Sequence, residues 1–372
     1  GVNFTVHTHH GTSCELLLFH KGEEEPYAVL PFPASYKIGD VYSMIVFGLN
    51  IEEFEYAYRV DGPSNPREGL LFDRKQILLD PYARAVVGKH AWGEKLEGNY
   101  RARVVKDTFD WGEMPQSTRN MSDLVIYELH VRGFTEDPSS GVKHRGTFSG
   151  LQEKIPYLKE CNINCLHLMP FLDTPEGRSD GGYAVADFRK VRPDLGTMKD
   201  LAELTEKCHE EDINVCMDFV MNHTSEDHEW AKRARAGEGE YMSRYFFYDN
   251  DEIPKKYEET VPQVFPTTAP GNFTYLPENG HYVMTTFYPY QWDLNYRNPR
   301  VFNEMIYNFL YLTNQGIDIV RIDAVPYIWK EIGTTCRNLK QVHTIVRMMR
   351  MIAEIVCPGV LLLGEVVMEP EK

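Results

Sequence analysis

Five apolar runs recur through the second two thirds of the chain, and helix-length segments fill the space between them. The runs are "LVIYELHV" (124–131), "INCLHLMP" (163–170), "INVCMDFV" (213–220), "IDIVRIDAV" (317–325) and "VLLLGEVV" (360–367). They alternate with "GLQEKIPYLKECN", "MKDLAELTEKCHEED", "NPRVFNEMIYNFLYLTNQG" and "LKQVHTIVRMMRMIAEIV". Continuous apolar strands between helices predict βαβ units around a parallel sheet buried on both faces. In the third helix Asn298 is a natural N-cap before Pro299, and Gly316 is a natural stop.

Residues 1–115 follow a different rule. Short alternating runs such as "NFTVHTH", "CELLLFH", "VYSMIVFG" and "FEYAYRVDGP" are spaced by Gly, Pro and Asn turns, which predicts an all-β sandwich. Residues 116–221 then begin the α/β part and 298–372 continue it. Almost a hundred residues separate the third and fourth runs, far more than a loop and a helix need. The stretch 222–297 therefore reads as an inserted subdomain, and long insertions at one end of such a sheet are usually functional.

The formal net charge of −16 argues against nucleic acid as a partner. No run approaches the roughly 18 apolar residues of a membrane span, which argues against a membrane partner as well. The seven cysteines are an odd number lying mostly in apolar segments, and they read as free thiols of a cytoplasmic protein. The chain starts at Gly1 without an initiator methionine or secretory segment, and is expected to be trimmed or partial.

Charged residues gather where the last three runs end: Asp218 with Asn222 and His223, then Arg321 with Asp323, then Glu365. In a (β/α)8 barrel the C-terminal strand ends form the active-site face, so such groups converge. Arg321 and Asp323 are two residues apart and share a strand face. Asp323 and Glu365 would sit on neighbouring strands about 5 Å apart, the carboxyl spacing of a retaining glycosidase. Arg321 is expected to keep Asp323 ionised as the nucleophile, while Glu365 holds its proton longer as the acid. The competing reading is a structural ion pair at a strand end, with Glu365 as a helix cap. Asp318 lies near its strand's start, on the opposite parity, and reads as structural.

"DFVMNH" (218–223), "GIDIVRIDAV" (316–325) and "LLLGEVV" (361–367) resemble three of the four sequence regions of the α-amylase family, glycoside hydrolase family 13. The resemblance spans residues 123–372. It implies a (β/α)8 TIM-type barrel, with Asp323 as nucleophile, Glu365 as general acid/base, Arg321 as the orienting arginine and His223 as a donor to the bound sugar. Asp218 and Asn222 join the sugar-binding set. The family's fourth region is absent, and about five βα units precede Lys372, so the chain is expected to stop about three units short of a closed barrel.

From about residue 165 onward, "HLMPFLDTPEGRSDGGYAVADFRKVRPDLGT" and "FYPYQWDLNYRNPRVFNEM" resemble amylosucrases, which transfer glucose from sucrose to an α-1,4-glucan. That likeness implies Asp180, Tyr183, Phe287 and Gln291 around the transferred glucose, Tyr183 being the stacking platform. Through about residue 160 the chain resembles the N-terminal sandwich of debranching, isoamylase and pullulanase enzymes, which are related to starch-binding modules. Three functions follow: a glucosyl transferase or hydrolase of the amylosucrase type, an α-1,6 debranching enzyme, or a catalytically incomplete glucan-binding protein. The partner is α-glucan or sucrose and no cofactor is expected. The family leaves room for a structural calcium, although 222–297 has no dense Asp/Asn loop of EF-hand type.

Overall fold

"SCELLLFH" is apolar on both faces of a strand, and the fold uses both. The computed structural model describes residues 1–88, 100–106, 120–177 and 180–367. It divides into two units, 1–112 and 113–372; the expected boundary at 115 lies outside the described residues. The first unit contains β1 (Val2–His7), β2 (Ser13–His20), β3 (Ala28–Pro31), β4 (Val41–Val46), β5 (Phe54–Asp61) and β6 (Arg101–Arg103). β1 and β4 pair in one antiparallel sheet, and β3, β2, β5 and β6 pair in that order in a second. Leu16, Leu18, Tyr56 and Tyr58 meet Phe4, Tyr42 and Met44 in the sandwich core. Leu17 and Phe19, pointing the other way, pack with Ala57 in a separate cluster, as expected of a central strand covered on both sides.

The second unit is built on β7 (Ile126–Leu129), β8 (Cys165–Leu168), β9 (Asn214–Val220), β10 (His223–Ser225), β11 (Gln291–Asp293), β12 (Ile319–Asp323) and β13 (Leu361–Gly364). β7, β8, β9, β12 and β13 form one parallel sheet in that order, the first five strands of a (β/α)8 barrel. The helices α1 (Met198–Glu210), α2 (Pro299–Thr313) and α3 (Lys340–Val356) connect them. The Asn298 side chain accepts from Arg300 N–H at the start of α2. One helix differs from expectation: residues 150–162 are split between Phe148–Gln152 and Ile155–Glu160. Pro156 lies in the first turn of the second piece, where its missing N–H and fixed φ suit a helix start but not an interior.

Residues 222–297 carry β10 and β11, paired antiparallel, and a three-stranded sheet of Phe247–Tyr248, His281–Met284 and Phe273–Leu276. Phe246, Tyr257, Val261 and Met284 pack there in a core that also takes in Cys336. At the other end of β12, Asp318 accepts from Val215 N–H at 2.7 Å and lies 2.8 Å from His209 Nε2, so it clamps adjacent strand starts to α1.

Candidate active site

Strand register decides which charges meet. Parallel pairing sets Asp218 beside Arg321 and Ile322 beside Gly364, so Glu365 follows at the level of Asp323. The Arg321 guanidinium then contacts three carboxylates: Asp218, Asp323 at 3.5 Å and Glu365 at 3.2 Å. Ala324, directly after Asp323, adopts a left-handed φ of 51°, an uncommon conformation for a residue with a side chain. Its N–H donates to Glu365 Oε2 at 3.0 Å. Arg321 and this amide together draw Glu365 inward on the side of Asp323.

That proximity corrects the expected ionisation. Burial first, then the charges of Glu365 and Asp218, raise the Asp323 pKa to about 7, and Arg321 only partly offsets them. Asp323 therefore keeps its proton well above the ordinary aspartate range. For Arg321, burial opposes the charge, but Asp218 and Glu365 more than compensate and keep it protonated.

Asp180, Tyr183, His223, Phe287, Gln291, Arg321, Asp323 and Glu365 line one cavity of about 630 Å³. Eight of the ten sequence-predicted site residues are thus brought together. Gln291 Nε2 donates to Asp180 Oδ2 at 3.1 Å, joining two walls, and Tyr183 sets its hydroxyl against Arg321. Phe265, Tyr288 and Tyr327 add aromatic surface on the same cavity.

The other two residues stand behind the wall. Asp218 is buried between Arg321 and His167, whose Nε2 is 3.2 Å away. Asn222 is buried and bonds Lys330 and His223. Neither lines the cavity, because both side chains are consumed in holding residues that do. His223 also departs from its expected role as a donor to sugar. Its Nε2 donates to the Tyr183 carbonyl at 3.1 Å, and its Nδ1 accepts from the Asn222 amide at 3.2 Å. Burial lowers its pKa to about 4, so the ring is neutral and both nitrogens are engaged.

Sequence reasoning passed over Lys330, Asp293, His167 and Ala324. A signal existed for two of them: "PYIWK" ends an apolar run in lysine, and "YQWDLNY" sets an aspartate among aromatics. Among the described residues, no three His, Cys, Asp or Glu side chains converge as a metal site.

A barrel sheet with paired carboxyls and an arginine over a sugar-sized cavity defines the class of retaining glycoside-active enzymes. The family profile "Alpha amylase, catalytic domain" matches residues 114–372, and "Carbohydrate-binding module 48 (Isoamylase N-terminal domain)" matches residues 1–83. The chain belongs to the α-amylase family of glycoside hydrolases and glucosyltransferases. It is 36% identical to a trehalose synthase of Pimelobacter sp. (strain R48), over 68% of this chain and 42% of that protein. It is 31% identical to "Isoamylase SU1, chloroplastic" of Zea mays, over 62% of this chain and 33% of that one. Among solved structures, a "Family GH13_31 enzyme" matches with a TM-score of 0.56 and 26% identity, over 66% of this chain and 47% of that one. The chain spans less than half the length of each of these relatives.

Proposed function

We propose that the site belongs to a retaining α-glucosyl-transferring enzyme whose donor is a short α-glucoside, sucrose or a glucose disaccharide. The observation that carries this reading is the bond between Gln291 and Asp180 across a cavity lined by Tyr183 and Phe287. It makes a pocket suited to a single terminal glucosyl ring, which an aromatic face stacks well.

In the first step the Asp323 carboxylate attacks the anomeric carbon while Glu365 protonates the departing glycosidic oxygen. A covalent glucosyl ester forms on Asp323. In the second step the Glu365 carboxylate takes the proton of an acceptor hydroxyl, which attacks the same carbon and releases Asp323. Arg321 holds both carboxyls in position throughout. Sucrose as donor is the expectation from the amylosucrase-like segments of the sequence; curated relatives that match are trehalose synthases and isoamylases rather than amylosucrases, and the former favour a glucose disaccharide.

A debranching activity is the second reading, favoured by the match of residues 1–83 to an isoamylase N-terminal module. Incubation with sucrose, trehalose and maltose, and separately with pullulan and branched limit dextrin, separates the two. Turnover of a disaccharide with retained anomeric configuration supports the first. Cleavage of the branched polymers alone supports the second. Retention on a glucan column with no turnover of any substrate would sink both in favour of a binding protein.

A further inference from the structure

Lys330 is 1% exposed, in a chain where lysines otherwise reach solvent as a rule. A buried ammonium is retained only when its three donors are satisfied. Here all three are. Nζ donates to Asn222 Oδ1 at 2.6 Å, pairs with Asp293 Oδ2 at 2.9 Å and donates to the Tyr327 carbonyl. The acceptors come from three segments of the chain: the residue before β10, the end of β11 and the turn after β12.

Asn222 passes the contact on. With its oxygen held by Lys330, its amide nitrogen is left to donate to His223 Nδ1, which fixes His223 as the tautomer that donates to the Tyr183 carbonyl. Asp293 sits opposite His223 in the β10–β11 pair and accepts from the Thr286 N–H and hydroxyl, one residue before Phe287. Tyr327 lies in the turn after Asp323, and its ring packs on Phe287 at 5.1 Å.

We propose that Lys330 is the positioning residue of this site, an ammonium hub that ties the His223 strand, the Phe287 wall and the turn behind Asp323 into one rigid pocket. This rests on the glucosyl-transfer reading for its kinetic consequences, though not for its structural ones. Lys330 touches no cavity space, and acts through Asn222, Asp293 and Tyr327.

The electrostatic side supports the geometry. Around His223 burial holds the pKa down, the charges of Asp293 and Asp180 and the Tyr183 carbonyl push it up, and Lys330 pushes it down. Removing the ammonium leaves Asp293 unopposed beside the ring.

The test uses Lys330→Met and the double variant Lys330→Met with Asp293→Asn, each in the whole chain. Lys330→Met strands a buried carboxylate, so its melting temperature falls; the double variant removes both charges and regains most of it. The proposal expects kcat on the active disaccharide to stay at least about tenfold down, and KM raised, in both variants, because neither restores the hold on Asn222 and Tyr327. A double variant that recovers kcat together with melting temperature overturns it, and Lys330 is then only a structural charge. The second readout needs no turnover. The His223 ring protons, followed by NMR against pH, should titrate at higher pH in Lys330→Met than in the parent, and an unchanged titration overturns the hub. If the parent turns over no disaccharide, the glucosyl-transfer reading fails while the NMR result still decides the hub.

Discussion

The two units bury charge in different ways. In the sandwich Arg101 and Glu55 form one matched pair at 3.3 Å; Glu55 also accepts from Gly22 N–H, and the guanidinium rests on the Phe19 ring. In the barrel unit a single arginine, Arg321, faces three carboxylates. A matched pair balances its own charge. An excess of negative charge cannot, and together with burial it raises the proton affinity of Asp323. Imbalance of buried charge, rather than buried charge itself, marks where chemistry happens in this chain.

The largest effect expected from disturbing that imbalance is at Asp323. Asp323→Asn should abolish turnover, by on the order of 10⁴ or more, because no group remains to form the covalent ester. At pH 8 the same change should raise the melting temperature, since it removes a buried charge that Arg321 offsets incompletely. Activity assays and thermal melts on one preparation check both signs. Full activity in that variant would remove Asp323 from the mechanism.

The matched pair should respond in the opposite manner. Arg101→Met leaves Glu55 buried without its partner and should cost about 3–5 kcal/mol, read by denaturant titration. Its kcat/KM under folding conditions should remain within about twofold of the parent, as for a substitution outside the site. A stability loss below about 1 kcal/mol would show that the pair is solvated rather than buried.

Much of this was legible in the sequence, and the remainder was not, for physical reasons. Five strands, their order and three long helices follow from apolar periodicity and caps, which are local properties. Arg321, Asp323 and Glu365 were legible because they break an apolar pattern at strand ends. Sequence parity and register do not say how far a side chain is drawn inward, so the inward position of Glu365 was missed. It depends on the Ala324 amide, exposed by a left-handed turn that no residue type announces. Asp218 and Asn222 were assigned to the sugar with His223, through the family resemblance of "DFVMNH". Their side chains are instead taken by Arg321 and Lys330, partners more than a hundred residues away.

A smaller effect is expected at the wall of the pocket. Tyr183→Ala removes the stacking face proposed for the transferred glucose and leaves both carboxyls in place. Its kcat/KM should fall about tenfold, carried mainly by KM, as a stacking contact of roughly 1.5 kcal/mol implies. A fall confined to kcat would instead make the contact of its hydroxyl with Arg321 the significant one.

The finest measurement is the pH dependence of stability, because burial, Glu365 and Asp218 raise the Asp323 pKa to about 7. Between about pH 4 and about 7 the folded chain keeps a proton that the unfolded chain has released, so this group's contribution is fully present below about 4 and is lost as pH rises through 7. Asp323→Asn removes that slope. A parent and variant with parallel stability profiles from pH 4 to 7 would mean that Arg321 balances all three carboxylates after all, and that the barrel site buries charge no differently from the sandwich.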